Sequence, residues 1–378
     1  MSEYFIGLMS GTSLDGVDGV LVDFSGPRLR VDAQATLAFD ADFRAELLAL
    51  NAPGQNELHR AARVGNRIAA AYAQVVDSLL QTAKKHGVQA TDVCAVGAHG
   101  QTVRHQPQRI STAADGTGYT LQLNNAALLA ELCGIDVISD FRARDIAAGG
   151  QGAPLVPAFH QSVFSQSDAA VAVLNLGGIS NVTVLPRHSD GPVLGFDCGP
   201  GNALMDAWCL RHTGQAFDAA GAWAAGGHCL PELLRHLLDE PYFELPPPKS
   251  TGRDLFSTGW LNNKLDGFTC KNPQDVQNTL TEFTARACVD CIQRYAPDSQ
   301  FLVVCGGGAY NQFLMQRLQA SLPNIHVDTS DHHGLPPLQV EASAFAWLAR
   351  QTVLRLPANL PHATGARGPR ILGAIYPA

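Results

Sequence analysis

The fold is constrained most by a strand–loop–strand pattern that occurs twice in the chain. In the first copy, at residues 5–24, two apolar runs flank a loop of Gly, Ser, Thr and Asp. The second copy has an apolar run at 169–176, a polar turn at 177–181 and a returning run at 182–185. One such turn is typical of an ordinary hairpin, but its recurrence predicts two similar domains with facing loops. A polyphosphate between those loops would be bound from both sides.

The first loop offers backbone N–H groups that no strand ladder uses, beside glycines that admit a phosphate closely. The spacing from Gly11 to Gly16 is that of a Walker loop. However, Val17 and Asp18 stand where Lys and Ser or Thr would follow, and a strand follows instead of a helix. A P-loop is therefore rejected. The Asp15–Gly16 pair predicts a tight turn with positive φ.

Length and composition indicate a globular protein of two domains. The 378 residues exceed what one ordinary core supports, and 46% are apolar while 16% are charged. The formal net charge is −8 with no basic run, so nucleic acid is not an expected partner. No apolar run approaches membrane-spanning length and the N-terminus lacks a signal-peptide pattern, so no membrane partner is expected either.

The cysteines predict a reducing compartment and therefore a cytoplasmic location. There are nine, odd in number and scattered, which is not the pattern of a disulfide framework. Cys288 and Cys291 form a CxxC, but they lie inside a predicted helix at 278–295 and have no second pair. Helix packing is therefore favoured over zinc or redox chemistry.

A polar cluster follows a predicted strand in the first half. A helical pattern covers 56–85, and 93–98 is typical of a buried strand that delivers His99 and Gln101 at its carboxyl end. Ligands gather at the carboxyl ends of strands in open α/β sheets. His99 is either a substrate contact or a loop histidine, and the residues leave both open.

A glycine-rich polar segment at 140–154 follows a helix predicted at 121–132 and a strand predicted at 136–139. It contains Arg142 and Asp145 among two arginines and two aspartates. Such residues make a poor core, so a role at a cleft is favoured over a plain linker. A domain boundary is placed near this segment.

Asp197 is the candidate catalytic residue of the second half. It ends a short apolar segment, and Gly199 and Gly201 keep the space beside it open. An aspartate in that position is ordinarily the cap of the next helix. Asn202 is better placed to cap a helix that begins near Ala203, which leaves Asp197 available for chemistry.

Three glycines at 306–308 follow a strand predicted at 301–305. The junction resembles a Rossmann turn, but Asn311 occupies the place of the third glycine. A glycine run there can instead let an adenosine lie flat against the backbone.

Two further charged segments have ordinary explanations. Glu341 opens a helix predicted at 341–354, where an acidic residue is often a partner of the helix dipole. The proline-rich loop 246–254 carries Lys249 and Arg253. A surface position is the default for this loop, and a substrate or phosphate contact is the alternative.

Together these motifs resemble the sugar kinase/heat-shock ATPase/actin superfamily, and more closely the anhydro-N-acetylmuramic acid kinases of bacterial cell-wall recycling. The resemblance spans the chain and is carried by residues 7–18, 99–102, 140–154, 175–181, 197–202, 305–308, 341–342 and 372–377. The Met-Ser-Gly-Thr-Ser-Leu-Asp-Gly sequence at 9–16 is highly specific. Cys198 stands where many members have Thr, a residue of similar size.

The resemblance implies an α/β fold with two RNase-H-like, actin-like ATPase lobes around a central nucleotide cleft. The N-terminal lobe would cover 1–135 and regain 352–378, and the C-terminal lobe would cover 136–351. ATP and Mg²⁺ are the implied cofactors, with adenosine near 306–308. The predicted partners are ATP and an anhydro amino sugar, with a second copy of the chain in a homodimer as a further candidate.

The family reaction opens the 1,6-anhydro ring of anhydro-N-acetylmuramic acid with water and phosphorylates O6. Ring opening needs a base that activates water at the anomeric carbon. The resemblance assigns this role to Asp197, and Glu341 is assigned either to hold the water or to tune the base. The ATP-binding residues carried over are Gly11, Thr12, Ser13, Leu14, Asp15, Gly16, Val17, Asp18, Gly177, Gly178, Gly306, Gly307 and Gly308. The substrate-binding residues carried over are His99, Gln101, Arg142 and Asp145, and the metal ligands are left open.

Two rival functions share parts of this pattern. An ordinary sugar or polyol kinase of the same fold would use Asp197 to deprotonate a hydroxyl rather than water. A non-enzymatic actin-like nucleotide switch has no need of Asp197 or of the polar segment 140–154, which argues against it.

Overall fold

The computed structural model describes residues 3–11, 14–107, 118–187, 191–252, 255–268 and 272–378. The strands are β1 (Tyr4–Met9), β2 (Gly16–Asp23), β3 (Arg30–Ala38), β4 (Val93–Ala98), β5 (Gln101–Gln106), β6 (Tyr119–Leu123), β7 (Val137–Ser139), β8 (Ala170–Leu176), β9 (Ile179–Leu185), β10 (Leu194–Pro200), β11 (Ser299–Cys305), β12 (His326–Thr329) and β13 (Ala374–Tyr376). The helices are α1 (Ala41–Ala49), α2 (Glu57–Lys84), α3 (Ala126–Cys133), α4 (Ala143–Ala147), α5 (Val156–Phe164), α6 (Ala203–Thr213), α7 (Ala222–Ala225), α8 (Pro231–Leu238), α9 (Thr258–Leu265), α10 (Pro273–Tyr295), α11 (Gln312–Ser321), α12 (Val340–Val353) and α13 (Pro361–Thr364).

The first unit, residues 1–159 and 339–378, is built on a sheet of order β13-β7-β4-β1-β2-β3. β1, β2 and β3 form an antiparallel meander, while β4 runs parallel to β1 and β7 parallel to β4. β13 pairs antiparallel with β7 at one edge. β5 and β6 pair with each other as a separate hairpin.

The second unit, residues 160–338, has a sheet of order β10-β9-β8-β11-β12. Its first three strands again form an antiparallel meander, and β11 and β12 add in parallel beside β8. Each unit therefore has an RNase-H-like order of strands. The predicted α/β fold class is confirmed, and the repeated sequence pattern corresponds to β1–β2 in one unit and β8–β9 in the other.

The unit boundaries differ from those expected at 135/136 and 351/352. The chain divides instead between Phe159 and His160 and between Leu338 and Gln339. β7 lies in the first unit because it pairs with β4, and α12 lies there because it packs against β1 and β4. Both expected boundaries therefore fall inside the first unit.

The contact of α12 with this sheet depends on glycine. A Cβ at Gly7 would lie 1.9 Å from the carbonyl oxygen of Ala342, and one at Gly97 would lie 2.1 Å from that of Phe345. Small helix residues such as Ala346 and Ala349 are fully buried on α12. Glycines on the strands and alanines on the helix thus bring the two backbones together, which fixes the helix that begins beside Glu341.

Two sequence-based predictions of local structure were wrong. The helix expected at 121–132 is the end of β6 followed by α3, because Asn125 caps α3 by accepting from the N–H of Leu128 at 3.1 Å. The positive φ expected at Asp15–Gly16 occurs one residue earlier, at Leu14 with φ 62°. Gly16 is required for space, since a Cβ there would lie 2.2 Å from the carbonyl oxygen of Leu37.

Candidate functional site

The first predicted ATP loop joins β1 to β2, and two of its residues, Thr12 and Ser13, lie outside the described residues. Leu14 donates its N–H to the carbonyl of Gly11 at 3.2 Å and buries its side chain. Asp15 is exposed, and its carboxylate pairs with Arg44 at 3.2 Å. The described part of the loop therefore combines a buried apolar side chain at Leu14 with an exposed carboxylate at Asp15.

Gln101 anchors this loop. Its Oε1 accepts a hydrogen bond from the Ser10 hydroxyl, and its Nε2 donates to the carbonyl of Gly11 at 3.1 Å. The side chain is fully buried. In this structure the Gln101 amide holds the start of the loop between β1 and β2, and its predicted contact with substrate stays a prediction.

His99, which directly follows β4, forms a buried hydrogen-bonded pair with Arg142. The guanidinium donates to His99 Nε2 from Nε at 3.1 Å and approaches it with a second nitrogen at 2.9 Å, and it also donates to the carbonyl of Gly152 at 2.8 Å. Burial, with a smaller effect of the Arg142 charge, lowers the pKa of His99 to about 3. His99 is thus neutral at physiological pH and accepts through Nε2, which orients the arginine.

Glu341 contributes to the same electrostatic environment. Burial lowers the pKa of Arg142 to about 10, and the negative charges of Glu341 and Asp145 oppose that shift. Glu341 lies in the first turn of α12 and is half-buried. Its predicted role beside the catalytic base stays a prediction, since Asp197 belongs to the second unit.

Asp145 is the most completely bonded carboxylate of the segment. Oδ1 accepts from the Asn359 amide at 2.6 Å and the Thr364 hydroxyl at 2.8 Å, and Oδ2 accepts from the Gly152 N–H at 2.8 Å. The side chain is fully buried. Asp145 therefore ties the segment that carries Arg142 to residues near the C-terminus, a role that its sequence context does not reveal.

In the second unit, the turn Gly177–Gly178 is held by the residues that follow β10. Asn202 donates its backbone N–H to the carbonyl of Gly177 at 2.8 Å and its side-chain amide to that of Leu176 at 2.9 Å. The expectation that Asn202 caps α6 with its side chain was wrong, because that amide is directed to the turn. A Cβ at Gly201 would lie 2.3 Å from the carbonyl oxygen of Gly177, which explains the glycine.

The three glycines after β11 have different constraints. Gly306 has φ 79°, and a Cβ there would lie 2.5 Å from Asn175 Oδ1. A Cβ at Gly308 would lie 2.5 Å from that of Leu176. Gly307 is exposed, and a Cβ there would meet Asn202 Nδ2 at 3.7 Å, an ordinary contact. Gly306 and Gly308 are thus required by packing, and Gly307 is the one of the three free to face a ligand.

Asp197 is positioned by a bulge in β10 and by Ser250 and Thr251 of the proline-rich loop 246–254. The register of β10 against β9 shifts between Asp197 and Gly199. The Ser250 hydroxyl and the Thr251 N–H each donate to Asp197 Oδ2 at 2.9 Å. Among the described residues, no donor is found on Oδ1 within hydrogen-bond distance.

The protonation of Asp197 suits a general base. Burial raises its pKa above the ordinary value, and the hydrogen bonds from Thr251 and Ser250 oppose that shift. A raised pKa makes the carboxylate a stronger proton acceptor near neutral pH. With Oδ2 fixed by two donors, Oδ1 can accept a proton in a defined direction.

The sequence did not identify Ser250 and Thr251 as partners of Asp197, although the loop 246–254 was singled out for its cations. Lys249 was expected at the surface, and this was wrong, since its side chain is 8% exposed. Arg253 lies outside the described residues. The hydroxyl-bearing pair Ser250 and Thr251, directly after Lys249, is the sequence signal that could have identified these partners.

Neither a metal-binding cluster nor a membrane-spanning helix is found among the described residues. Within the described ranges there is no group of three or more His, Cys, Asp or Glu side chains that could hold a metal ion. Cys288 and Cys291 are free thiols buried in the core of the second unit. The part of the chain that the structure describes has no helix long and apolar enough to cross a membrane.

Comparison with known proteins shows which family of proteins this chain is similar to. A family model described as anhydro-N-acetylmuramic acid kinase matches residues 3–378. A protein of that name from Albidiferax ferrireducens is 61% identical over 396 residues and is covered over 100% of both chains. Another from Variovorax paradoxus is 60% identical over 380 residues, with 100% of this chain and 99% of the relative covered. A third, from Cupriavidus metallidurans, is 55% identical over 379 residues, with 100% and 98% covered.

Proposed function

Because the chain belongs to the anhydro-N-acetylmuramic acid kinase family, we propose that it couples ring opening to phosphorylation. Water and ATP convert 1,6-anhydro-N-acetylmuramic acid to N-acetylmuramic acid 6-phosphate and ADP. We infer that this reaction serves peptidoglycan recycling in the cytoplasm.

The observation that carries the mechanism is the environment of Asp197. Its Oδ2 is held by Ser250 and Thr251 at 2.9 Å each, and Oδ1, which has no donor among the described residues, is left for a proton. Burial raises the pKa of the carboxyl, which favours proton transfer from water. Asp197 is therefore the general base.

In the proposed reaction, bonds form and break at the anomeric carbon of the sugar and at the γ-phosphorus of ATP. Asp197 takes a proton from water as the water oxygen bonds to the anomeric carbon, and the bond from that carbon to O6 breaks. O6 bonds to the γ-phosphorus of ATP, and the bond to the β-phosphate oxygen breaks to release ADP. The departing O6 is itself the nucleophile for phosphorus, so no separate acid is needed. The proton on Asp197 returns to solvent.

The glycine loops supply positioning for phosphoryl transfer. The loop at residues 11–18 and the turn Gly177–Gly178 would bind the phosphates, and the open backbone at Gly307 would receive adenosine. The pair of His99 and Arg142 receives the sugar, since a neutral imidazole and an oriented guanidinium suit hydroxyl and carboxylate groups.

Mg²⁺ fits this donor set. The described residues have no three-ligand cluster, but Mg²⁺ bound with a nucleotide needs only one or two carboxylates beside phosphates and water. The exposed carboxylates Asp15 and Asp18 would hold it. When bound, the ion neutralises charge on the transferring phosphate.

An isotope experiment separates this reaction from that of an ordinary kinase. The reaction is run in ¹⁸O-water and analysed before the anomeric hydroxyl exchanges. The label should lie on the anomeric carbon and be absent from the sugar phosphate group, since the bridging oxygen is the O6 of the substrate. A single first-formed anomer is expected, because water attacks the face opposite the departing oxygen. Label in released inorganic phosphate would mean that water attacks ATP, and the proposal would be wrong.

Asp197→Asn tests the base directly. Turnover should fall by ~10²–10⁴, the usual contribution of acid–base assistance, while ATP binding is retained. Asp298→Asn, an exposed aspartate of the same unit, is the matched control. Near-normal turnover of Asp197→Asn would require another base.

A further inference from the structure

A buried lysine lies next to the proposed catalytic base. The Lys249 side chain is 8% exposed. Its Nζ donates weakly to the carbonyls of Tyr242 at 3.4 Å and Phe243 at 3.5 Å, and it lies 4.7 Å from the centre of the Tyr242 ring. Within the described part of the chain, none of these partners is a carboxylate. Burying an ammonium without a paired anion is costly, so its position calls for an explanation.

The backbone connects Lys249 to Asp197 from two sides. Asp197 donates its N–H to the carbonyl of Lys249 at 3.2 Å. The Tyr242 hydroxyl donates to the carbonyl of Asp197 at 2.8 Å, and the face of this same ring carries the Lys249 ammonium. The next two residues after Lys249 supply both donors to Asp197 Oδ2. Residues 249–251 therefore hold the backbone at Asp197, orient its carboxylate and carry a positive charge in the same segment.

We propose that Lys249 is a positioning residue that fixes the strand at Asp197 through its carbonyl and keeps the buried carboxylate ionised through its ammonium. This inference rests on the proposed function, in which Asp197 is the base. A carboxyl group that is already protonated at the working pH cannot accept a proton from water. The Lys249 ammonium makes no hydrogen bond to this carboxylate, so its charge opposes the effect of burial while Ser250 and Thr251 remain the donors to Oδ2.

The other charged groups around this site lie on neighbouring elements. Burial raises the pKa of Asp197, and the hydrogen bonds from Thr251 and Ser250 lower it, followed by a smaller effect of the Lys249 charge. On the remaining elements the titratable and charged groups near the carboxylate and the ammonium are Tyr242, Glu244, Cys198, Asp290, Cys291 and Arg294. Glu244, Asp290, Cys291 and Arg294 line a cavity of about 270 Å³ together with Lys249. Among the described residues, Lys249 is the cation whose charge acts on the Asp197 carboxyl.

The chain provides a matched control lysine in the same unit. Lys264 Nζ lies 5.5 Å from the centre of the Trp260 ring and donates to the carbonyls of His236 at 3.0 Å and Asp239 at 3.2 Å. Like Lys249, it therefore lies near an aromatic ring and donates to two backbone carbonyls, although these belong to other residues. It differs in having Glu240 at 3.8 Å and no contact with Asp197.

The test is a titration of Asp197 in the free protein. The protein is labelled with ¹³C at the aspartate carboxyl carbons, and the Asp197 signal is assigned by its loss in Asp197→Asn. Lys249→Met and Lys249→Gln should raise the pH midpoint of this signal by up to about one unit, the lower end of the effect of removing an opposite charge, since Lys249 forms no ion pair with the carboxylate. Lys249→Arg, which keeps the charge, should restore most of the shift, and Lys264→Met should titrate like the wild type.

Kinetics give a second measurement. In Lys249→Met the acid limb of kcat should move to higher pH by the same amount, with KM for ATP unchanged. Two folded variants are used so that loss of one to misfolding leaves the other. An unshifted Asp197 midpoint in the folded variant, or an equal shift in Lys264→Met, would overturn the proposal. If the chain does not phosphorylate the anhydro sugar, the proposed function fails, while the ¹³C titration still decides the role of Lys249.

Discussion

Replacing Asp145 with Asn should destabilise the first unit far more than the polar, glycine-rich sequence around it suggests. The carboxylate is fully buried and accepts three hydrogen bonds, two on Oδ1 and one on Oδ2. The amide has one acceptor oxygen. At best this oxygen keeps the donors of Asn359 and Thr364, and the NH₂ group then faces the N–H of Gly152.

The cost follows from that count. One charge-assisted hydrogen bond is lost, worth ~1.5–3 kcal/mol, and a buried N–H is left without a partner. The two remaining bonds lose the charge of the carboxylate. The free energy of unfolding of the first unit should therefore fall by about 2–4 kcal/mol.

The chain allows this loss to be assigned to one unit. Of its four tryptophans, Trp347 lies in the first unit, and Trp208, Trp223 and Trp260 lie in the second. In protein labelled with 5-fluorotryptophan, ¹⁹F NMR during a urea titration follows each signal. The Trp347 signal of Asp145→Asn should change at lower urea than in the wild type.

The matched control is Asp77→Asn, an exposed aspartate on α2 of the same unit that accepts from Gln81 at 2.7 Å. A surface change of this kind should alter stability by less than about 0.5 kcal/mol. If Asp145→Asn were as mild as Asp77→Asn, the three hydrogen bonds would not hold the segment, and the reasoning would be refuted.

Three further predictions follow from the site and its supports. Gly307→Val should weaken ATP binding about tenfold in a calorimetric titration, a steric cost of ~1.4 kcal/mol, while the thermal transition is unchanged because a Cβ there meets Asn202 only at 3.7 Å. Gly97→Ala should lower the free energy of unfolding by about 3 kcal/mol in a urea titration, because its Cβ would lie 2.1 Å from a carbonyl oxygen of α12. In the same titration Gly65→Ala in α2, whose nearest neighbours lie at 3.8 Å, should raise the free energy of unfolding by ~0.5–1 kcal/mol. Because burial raises the pKa of Asp197, kcat should fall as the pH drops through a midpoint above the usual ~4 of a carboxyl, and an acid limb at the usual value would contradict this.

Local patterns predicted the strands and helices that depend on neighbouring residues. The helix expected at 56–85 is α2 at 57–84, and the strand expected at 93–98 is β4 with the same bounds. Both segments carry a clear period, and α2 buries Val64, Ile68 and Tyr72 along one face. The repeated strand–loop–strand pattern also predicted the two related sheets, because a period and a turn are local properties.

The positions that the sequence did not predict depend on distant residues. Lys249 is buried because the ring of Tyr242 and two carbonyls receive its ammonium. β7 lies in the first unit because it pairs with β4, while β13 near the end of the chain pairs with its other edge. The sequence pattern of residues 136–154 gives no indication that β7 pairs with β4 and β13. Unit boundaries and the burial of a charged side chain are therefore decided by tertiary pairing.

Asp145 and Asp197 show how this difference bears on function. Each is an aspartate beside glycines, and the sequence placed both in the site. In the structure both oxygens of Asp145 are occupied by donors from the protein, whereas donors among the described residues occupy only Oδ2 of Asp197. A carboxylate that accepts on both oxygens stabilises the fold, and one with an open oxygen can take a proton from a ligand. The two variants should therefore separate, with Asp145→Asn losing mainly stability and Asp197→Asn losing mainly turnover.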